Sequence, residues 1–348
     1  MKDSILRLSV WTALTAAIVV TGGRATSSMA AQTFIPNDGP YKLTGNSGLS
    51  YVGTSHVYDS TSNHLYSSTR AGIYHFDTTS MKVVGRTPTV RGAGSMSLDV
   101  ARNELYVLAL HENVMNVVDV TTQKVVRTFF APAWFNVFYE ADRGELYYLR
   151  GDTRDVQIAD RLTGRVLKTL TLAGRPSFLD GDPSHHRVLV RLADTKQIQI
   201  IGTTDREITG AWEARDDGQS AMAIDPTGTR VFISSGRDVL MLDGETGKAL
   251  SRIGMGSNIE SIVYDPGTQF VVALSGGQVN VAKVSATGMQ LQQSLNTRSF
   301  VQEIFLDPKT HRIFGISRLY DDGVMRDYTA QSLPPDGGST LLTLTLRQ

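Results

Sequence analysis

Cysteine is absent from all 348 residues. That excludes disulfides, cysteine-ligated zinc, iron–sulfur clusters, a cysteine nucleophile and covalently attached c-type haem. An excess of charge is missing too: 34 Lys and Arg stand against 34 Asp and Glu. No global field therefore draws nucleic acid or an anionic membrane, and neither is expected as a partner. The most apolar run, Leu8 to Val20, falls well short of the roughly 20 residues a membrane span needs. A phosphate-cradling Gly-rich loop, Gly-x-Ser-x-Gly and His-Glu-x-x-His are all lacking. What remains is a chain with 32 glycines and a 41% hydrophobic fraction, the composition of a turn-rich globular protein.

The first thirty residues read as a secretory leader. Lys2 and Arg7 precede the apolar run, and Ser28-Met29-Ala30 offers a small-x-small cleavage site before Ala31. Cleavage there removes three basic and one acidic side chains, leaving the mature chain two charges negative. The expected layout is a leader over 1–30, a flexible segment over 31–39 and a single domain over 40–348. A soluble exported monomer, periplasmic or extracellular, is expected. Without disulfides, it must rely on a large packed core.

An acidic residue followed six positions later by an apolar strand start recurs at Asp59, Asp99, Glu140, Asp182, Asp225, Asp265 and Asp307, spaced 40 to 43 residues apart. Corners such as "DPTGTR" and "DPKTHR" preset tight turns. Each copy then carries a second β-rich run ("VLMLD", "VQIAD"), a third ("ETGKALSRI") and an apolar segment before the next corner ("SIVYD"). Four short strands per copy, repeated seven times at about 40 residues, predict an all-β, seven-bladed β-propeller. A linear stack would leave apolar ends uncovered, whereas a ring covers them. In the seventh copy the inner strands are expected at Val301–Leu306 and Arg312–Ser317, and the third at Leu341–Leu346. The chain then ends, so the outermost strand should come from Tyr41–Thr44.

"ELYVLALHENVMNVVDVTTQKVV" (104–126) and "PTGTRVFISSGRDVLMLDGETGKAL" (226–250) resemble the YVTN-type propeller repeat of bacterial and archaeal surface-associated and periplasmic proteins. The resemblance spans roughly residues 55 to 317, although no copy carries the literal Tyr-Val-Thr-Asn. It implies the fold strongly. For function it implies a range: lactone hydrolases, redox-enzyme subunits and plain binding modules.

Loops on a rigid scaffold carry function, and a propeller's site belongs at one mouth of its channel. The loops expected there place Arg91, Trp134, Arg175, Gln219, Asn258, Glu260, Arg298 and Gln302 as ligand-binding candidates, with His111 on a neighbouring loop. Recurrent arginine would suit a carboxylate or phosphate; the plainer reading pairs these arginines with neighbours such as Asp155 and Asp238. Glu260 stands where the other copies carry Thr54, Gly94, Phe135, Ser177, Ser220 and Gln302. It is either a general base or a buried carboxylate satisfied by backbone donors. The histidines are poorly placed for a metal: His64, His185, His186 and His311 fall at the corner turns, on the opposite face. The expected function is a non-catalytic binding module for a protein or small anion at the channel mouth. The alternatives are a lactonase-like hydrolase using Glu260 and His111, or an accessory subunit of a redox complex. No cofactor and no metal are expected.

Overall fold

The computed structural model describes residues 39–49, 55–69, 72–88, 90, 93–109, 112–131, 136–150, 153–214, 221–297, 300–318 and 339–347. The expected leader and the 319–338 loop lie outside them. The described chain forms seven four-stranded antiparallel sheets, six of them simple meanders. Blades 1 to 6 run in chain order over residues 55–87, 93–130, 136–171, 176–213, 222–254 and 259–296. Blade 7 is built from Phe300–Asp307, Arg312–Arg318, Ser339–Leu346 and, as its outermost strand, Tyr41–Leu49. The ring is therefore latched by both chain ends, as the sequence predicts.

Residues alternate between the two faces of a strand, so a blade packed on both sides must be apolar throughout its second strand. Glu104–Ala109 shows this directly. Leu105 and Val107 pack toward blade 1, while Tyr106 and Leu108 pack toward blade 3. Seven apolar clusters result, one at each blade interface, and the seventh joins Leu65 and Phe76 of blade 1 to Phe314, Ile316 and Leu341 of blade 7.

The seven recurrent acids are buried turn caps. Asp59 accepts from the Thr61 N–H and the Ser62 hydroxyl, and Glu140 from the N–H groups of Asp142 and Arg143. Four residues beyond the acid, the backbone enters the left-handed region at Asn63, Asn103, Gly144, His186, Gln269 and His311. Asp265 also holds the next blade: besides Gly267 N–H and Thr268 Oγ1, it accepts from His311 Nδ1 at 2.8 Å. Replacing Asp265 with Ala removes three hydrogen bonds to part-buried donors and should lower stability by about 1–3 kcal/mol in urea unfolding. A loss below about 0.5 kcal/mol would show that the corner acids do not hold the turns.

The histidines at the corners serve the same structure. His185 ends a 3-10 turn, Pro183–His185, and His186 follows in the left-handed region, so both sit at the corner as expected. Its two ring nitrogens face Asp182 (2.9 Å) and Glu245 of blade 5 (3.0 Å), while His186 reaches Asp142 of blade 3 (2.9 Å).

Candidate functional site

The inner strands, Ser55–Asp59, Ala93–Asp99, Asn136–Glu140, Pro176–Asp182, Met222–Ile224, Ile259–Asp265 and Phe300–Asp307, surround the central channel. Loops from outer to inner strand, and from second to third strand, open at one mouth; the acid-capped turns close the other face. Neighbouring inner strands are stitched by hydroxyls. Ser95 Oγ donates to Asn136 Oδ1 (2.6 Å) and accepts from Val137 N–H, Ser97 accepts from Tyr139 N–H (2.8 Å), and Ser261 accepts from Ile304 N–H.

At the mouth end several inner strands are bulged. The register slips at Ser177, Glu260 and Gln302, and between Ala93 and Met96. A bulge leaves its extra residue outside the ladder and re-aims its side chain. Ser177, Glu260 and Gln302 are thus equivalent in structure, as the repeat alignment places them. Glu260 departs from the expectation of a satisfied structural carboxylate. Its Oε2 is buried without a hydrogen-bond partner among the described residues, and burial pushes its carboxyl above the ordinary range.

The other candidates are dispersed or undetermined. Arg175 is mostly exposed; its N–H donates to Asp194 Oδ1 (2.8 Å) and its guanidinium lies 3.8 Å from Asp194. Asn258 donates its backbone N–H to Ser275 Oγ. Asp238, an expected partner for mouth arginines, instead pairs with Arg252 on the outer strand of its own blade. Arg91, His111, Trp134, Gln219 and Arg298 lie outside the described residues.

The inner strands hold groups that sequence reading passed over. The inner strands contain no Lys or Arg at all. Glu303 of blade 7 meets His56 of blade 1 at 3.0 Å, across the seam that closes the ring. Asp180 occupies the register position that Val57, Ser97, Phe138, Ala223, Val263 and Phe305 hold in the other blades. Dense packing around it pushes its carboxyl up to about 6; the Gly181 N–H opposes the shift and Asp182 adds to it. The Phe138 ring lies so close over Gly181 that any β-carbon there would come within 2.4 Å. A usable signal exists in hindsight. Ser95 and Asn136 are 41 residues apart, His186 and Asp142 44, and His311 and Asp265 46. Polar residues one repeat length apart meet across a blade interface.

Chemically, the described wall can accept hydrogen bonds and attract positive charge. Among the described residues no three His, Asp or Glu side chains are placed to share a metal ion.

No family model matches the chain, and no curated protein sequence does. Solved structures do. The WD40 repeats of RRP9 share 11% identity with a TM-score of 0.70, covering 90% of this chain and 99% of that one. A chain of the Mitotic Checkpoint Complex shares 12% identity with a TM-score of 0.69, covering 96% and 99%. U3-55K shares 10% identity with a TM-score of 0.68, covering 87% and 98%. At such identities the likeness is one of fold: this chain is a seven-bladed β-propeller whose structural neighbours include WD40-repeat proteins.

Proposed function

We propose that the protein is an exported, non-catalytic binding module of the YVTN-repeat type that takes a segment of a partner protein at the channel mouth. Propellers of this architecture are typically binding or scaffold modules. The observation that carries the reading here is Glu260: a bulged carboxylate at the head of an inner strand, with a buried oxygen that no described residue satisfies. Such a group destabilises the free protein until a partner donates to it. The hydrolase reading lacks support of this kind, since Glu260 makes no side-chain hydrogen bond to a second acid or base among the described residues. The acidic inner wall also favours a basic or neutral partner segment over a small anion.

The test separates the readings. Wild type and Glu260→Gln are incubated with aldonic acids, lactones and sugar phosphates, following melting and lactone turnover. The binding-module reading expects no turnover and no saturable shift above about 1 °C. Turnover lost in Glu260→Gln would make the protein a hydrolase, and a saturable shift with the acids or phosphates would make its ligand a small anion.

A further inference from the structure

The outer rim of the ring is uneven. Of nine exposed large apolar side chains among the described residues, seven lie on or beside the outer strands of four consecutive blades: Leu43 on blade 7, Val83 and Val84 on blade 1, Val126 and Phe130 on blade 2, and Leu162 and Val166 on blade 3; Val100 is on the inner corner turn of blade 2. The outer strands of the same blades carry six basic residues and no acid. Blades 4 to 6 contrast with them. Blade 4 has Glu207 and Glu213, blade 5 a single arginine, and blade 6 no charge on the outer strand. Arg127 and Lys168 are engaged by Glu104 and Glu207, whereas Lys42, Lys82, Arg86 and Lys124 have no ion pair among the described residues. The nearby carboxylates Asp77 and Asp119 are turned onto their own loops, accepting the N–H groups of Thr79, Thr121 and Thr122.

Ordinary edge protection does not account for this surface. Every outer strand of blades 1 to 6 is bulged at the same place, leaving one residue out of register: Val84, Val126, Leu167, Thr209, Leu250 and Gln292. A bulge already blunts a sheet edge against strand addition. Blades 4 and 6 place a polar residue there, which is all that solubility asks. Blades 1 and 2 instead expose Val84 (49%) and Val126 (48%), each two residues after an unpaired lysine, and blade 2 adds Phe130 at 69%. A recurrence of exposed apolar side chains beside unpaired cations on neighbouring blades is the pattern of an interaction surface.

We infer that the basic and apolar rim of blades 7, 1, 2 and 3 binds an extended acidic segment of another protein. Charge complementarity selects the acidic partner. Curvature selects an extended one. Successive blades of a seven-bladed ring turn by about 50°, so a flat lipid surface meets the rim of only one or two blades, while a flexible chain can follow four. The bulges mean that side chains and not ladder hydrogen bonds carry the contact.

The probe is a fluorescein-labelled peptide of about 20 residues repeating Glu-Leu-Asp-Ser, which extended reaches about 65 Å. Its anisotropy is followed with the full chain, with Lys82→Glu/Lys124→Glu and with Val84→Ser/Val126→Ser, after confirming that each variant melts within about 2 °C of wild type. The inference expects saturable binding that weakens about tenfold or more in either variant and in about 0.5 M salt. Absent binding, or binding unchanged in both variants, overturns it. So would phosphatidylglycerol vesicles binding where the peptide does not, or self-association of the wild type that Val84→Ser/Val126→Ser abolishes. None of these results bears on the channel mouth, which neither variant touches.

Discussion

Deleting residues 40–46 lowers the melting temperature by at least about 10 °C. The strand Tyr41–Leu49 is the last to complete the ring, pairing along its length with Ser339–Leu346. Tyr41 is fully buried, in the cluster that joins blades 6 and 7. The buried Gln293 of blade 6 grips it from the side: Tyr41 N–H donates to Gln293 Oε1 and Gln293 Nε2 donates to Tyr41 C=O, both at 2.8 Å. One chain end also ties to the other through Arg347 N–H and Pro40 C=O at 2.7 Å. Losing a buried aromatic side chain alone costs about 3–5 kcal/mol. In a domain of this size that is several degrees, before the open sheet edge and the broken seam are counted. Gln293→Ala isolates the grip: it strands the Tyr41 N–H in the interior and leaves the C=O only the longer bond from Arg347 Nε (3.4 Å), and should cost about 1–3 kcal/mol. Calorimetry decides, and a shift below about 2 °C for the deletion would rule out the latch.

Asp180→Asn stabilises the protein at pH 8 and makes it sensitive to acid. Asp180 in the fold titrates at about 6, above its ordinary value of 3.8. Its contribution to stability is complete below about pH 4 and is lost as pH rises through 6, a loss of about 2–3 kcal/mol at pH 8. His75 works in the opposite direction. Buried between Tyr66 and Thr87, it is pulled down from 6.5 to about 4 by burial, with His64 adding to the effect. Its contribution is complete above about pH 6.5 and is lost as pH falls through 4. Across this window the two groups nearly cancel in the wild type. Asparagine at 180 still accepts from the Gly181 N–H but carries no charge. The variant should therefore be more stable than wild type at pH 8 and lose that advantage toward pH 5. His75→Gln keeps a donor for Thr87 Oγ1, whose own proton goes to Gln123 C=O, and should show the converse, gaining on wild type as pH falls. Urea unfolding at pH 8 and pH 5 for both single variants and the double checks the pair. An Asp180→Asn protein no more stable than wild type at pH 8 would contradict it.

Most of the scaffold was legible because it repeats. Seven acids at near-constant spacing identified the turns, and the structure finds each of them buried and capping its turn. The shortened seventh copy announced the closing strand, since "LLTLTL" had no fourth partner before the chain ended. The site was less legible, for reasons that lie in register. Asp180 and Asp182 sit two residues apart on one face of the strand, and nothing in "LDGD" says that one caps a turn while packing around the other pushes its carboxyl up; the ring decides it. Glu260 could be singled out as a lone carboxylate among neutral equivalents. That it stands on a bulge with an unsatisfied oxygen depends on which strand pairings slip, a property of the hydrogen-bond ladder and not of residue type. The rim was invisible for the same reason: Val84 and Val126 look like ordinary strand residues until the bulge turns them outward.

The central claim is that the channel mouth, and not the turn face, receives a partner protein. Photo-crosslinking tests it most directly, with a photoreactive residue placed in turn at 175, 258, 260 and 302 on the mouth, and at 142, 205 and 245 on the turn face, in the protein expressed in living cells. The account predicts a discrete crosslinked species from the mouth positions and none from the turn face. Crosslinks from the turn face alone would contradict it.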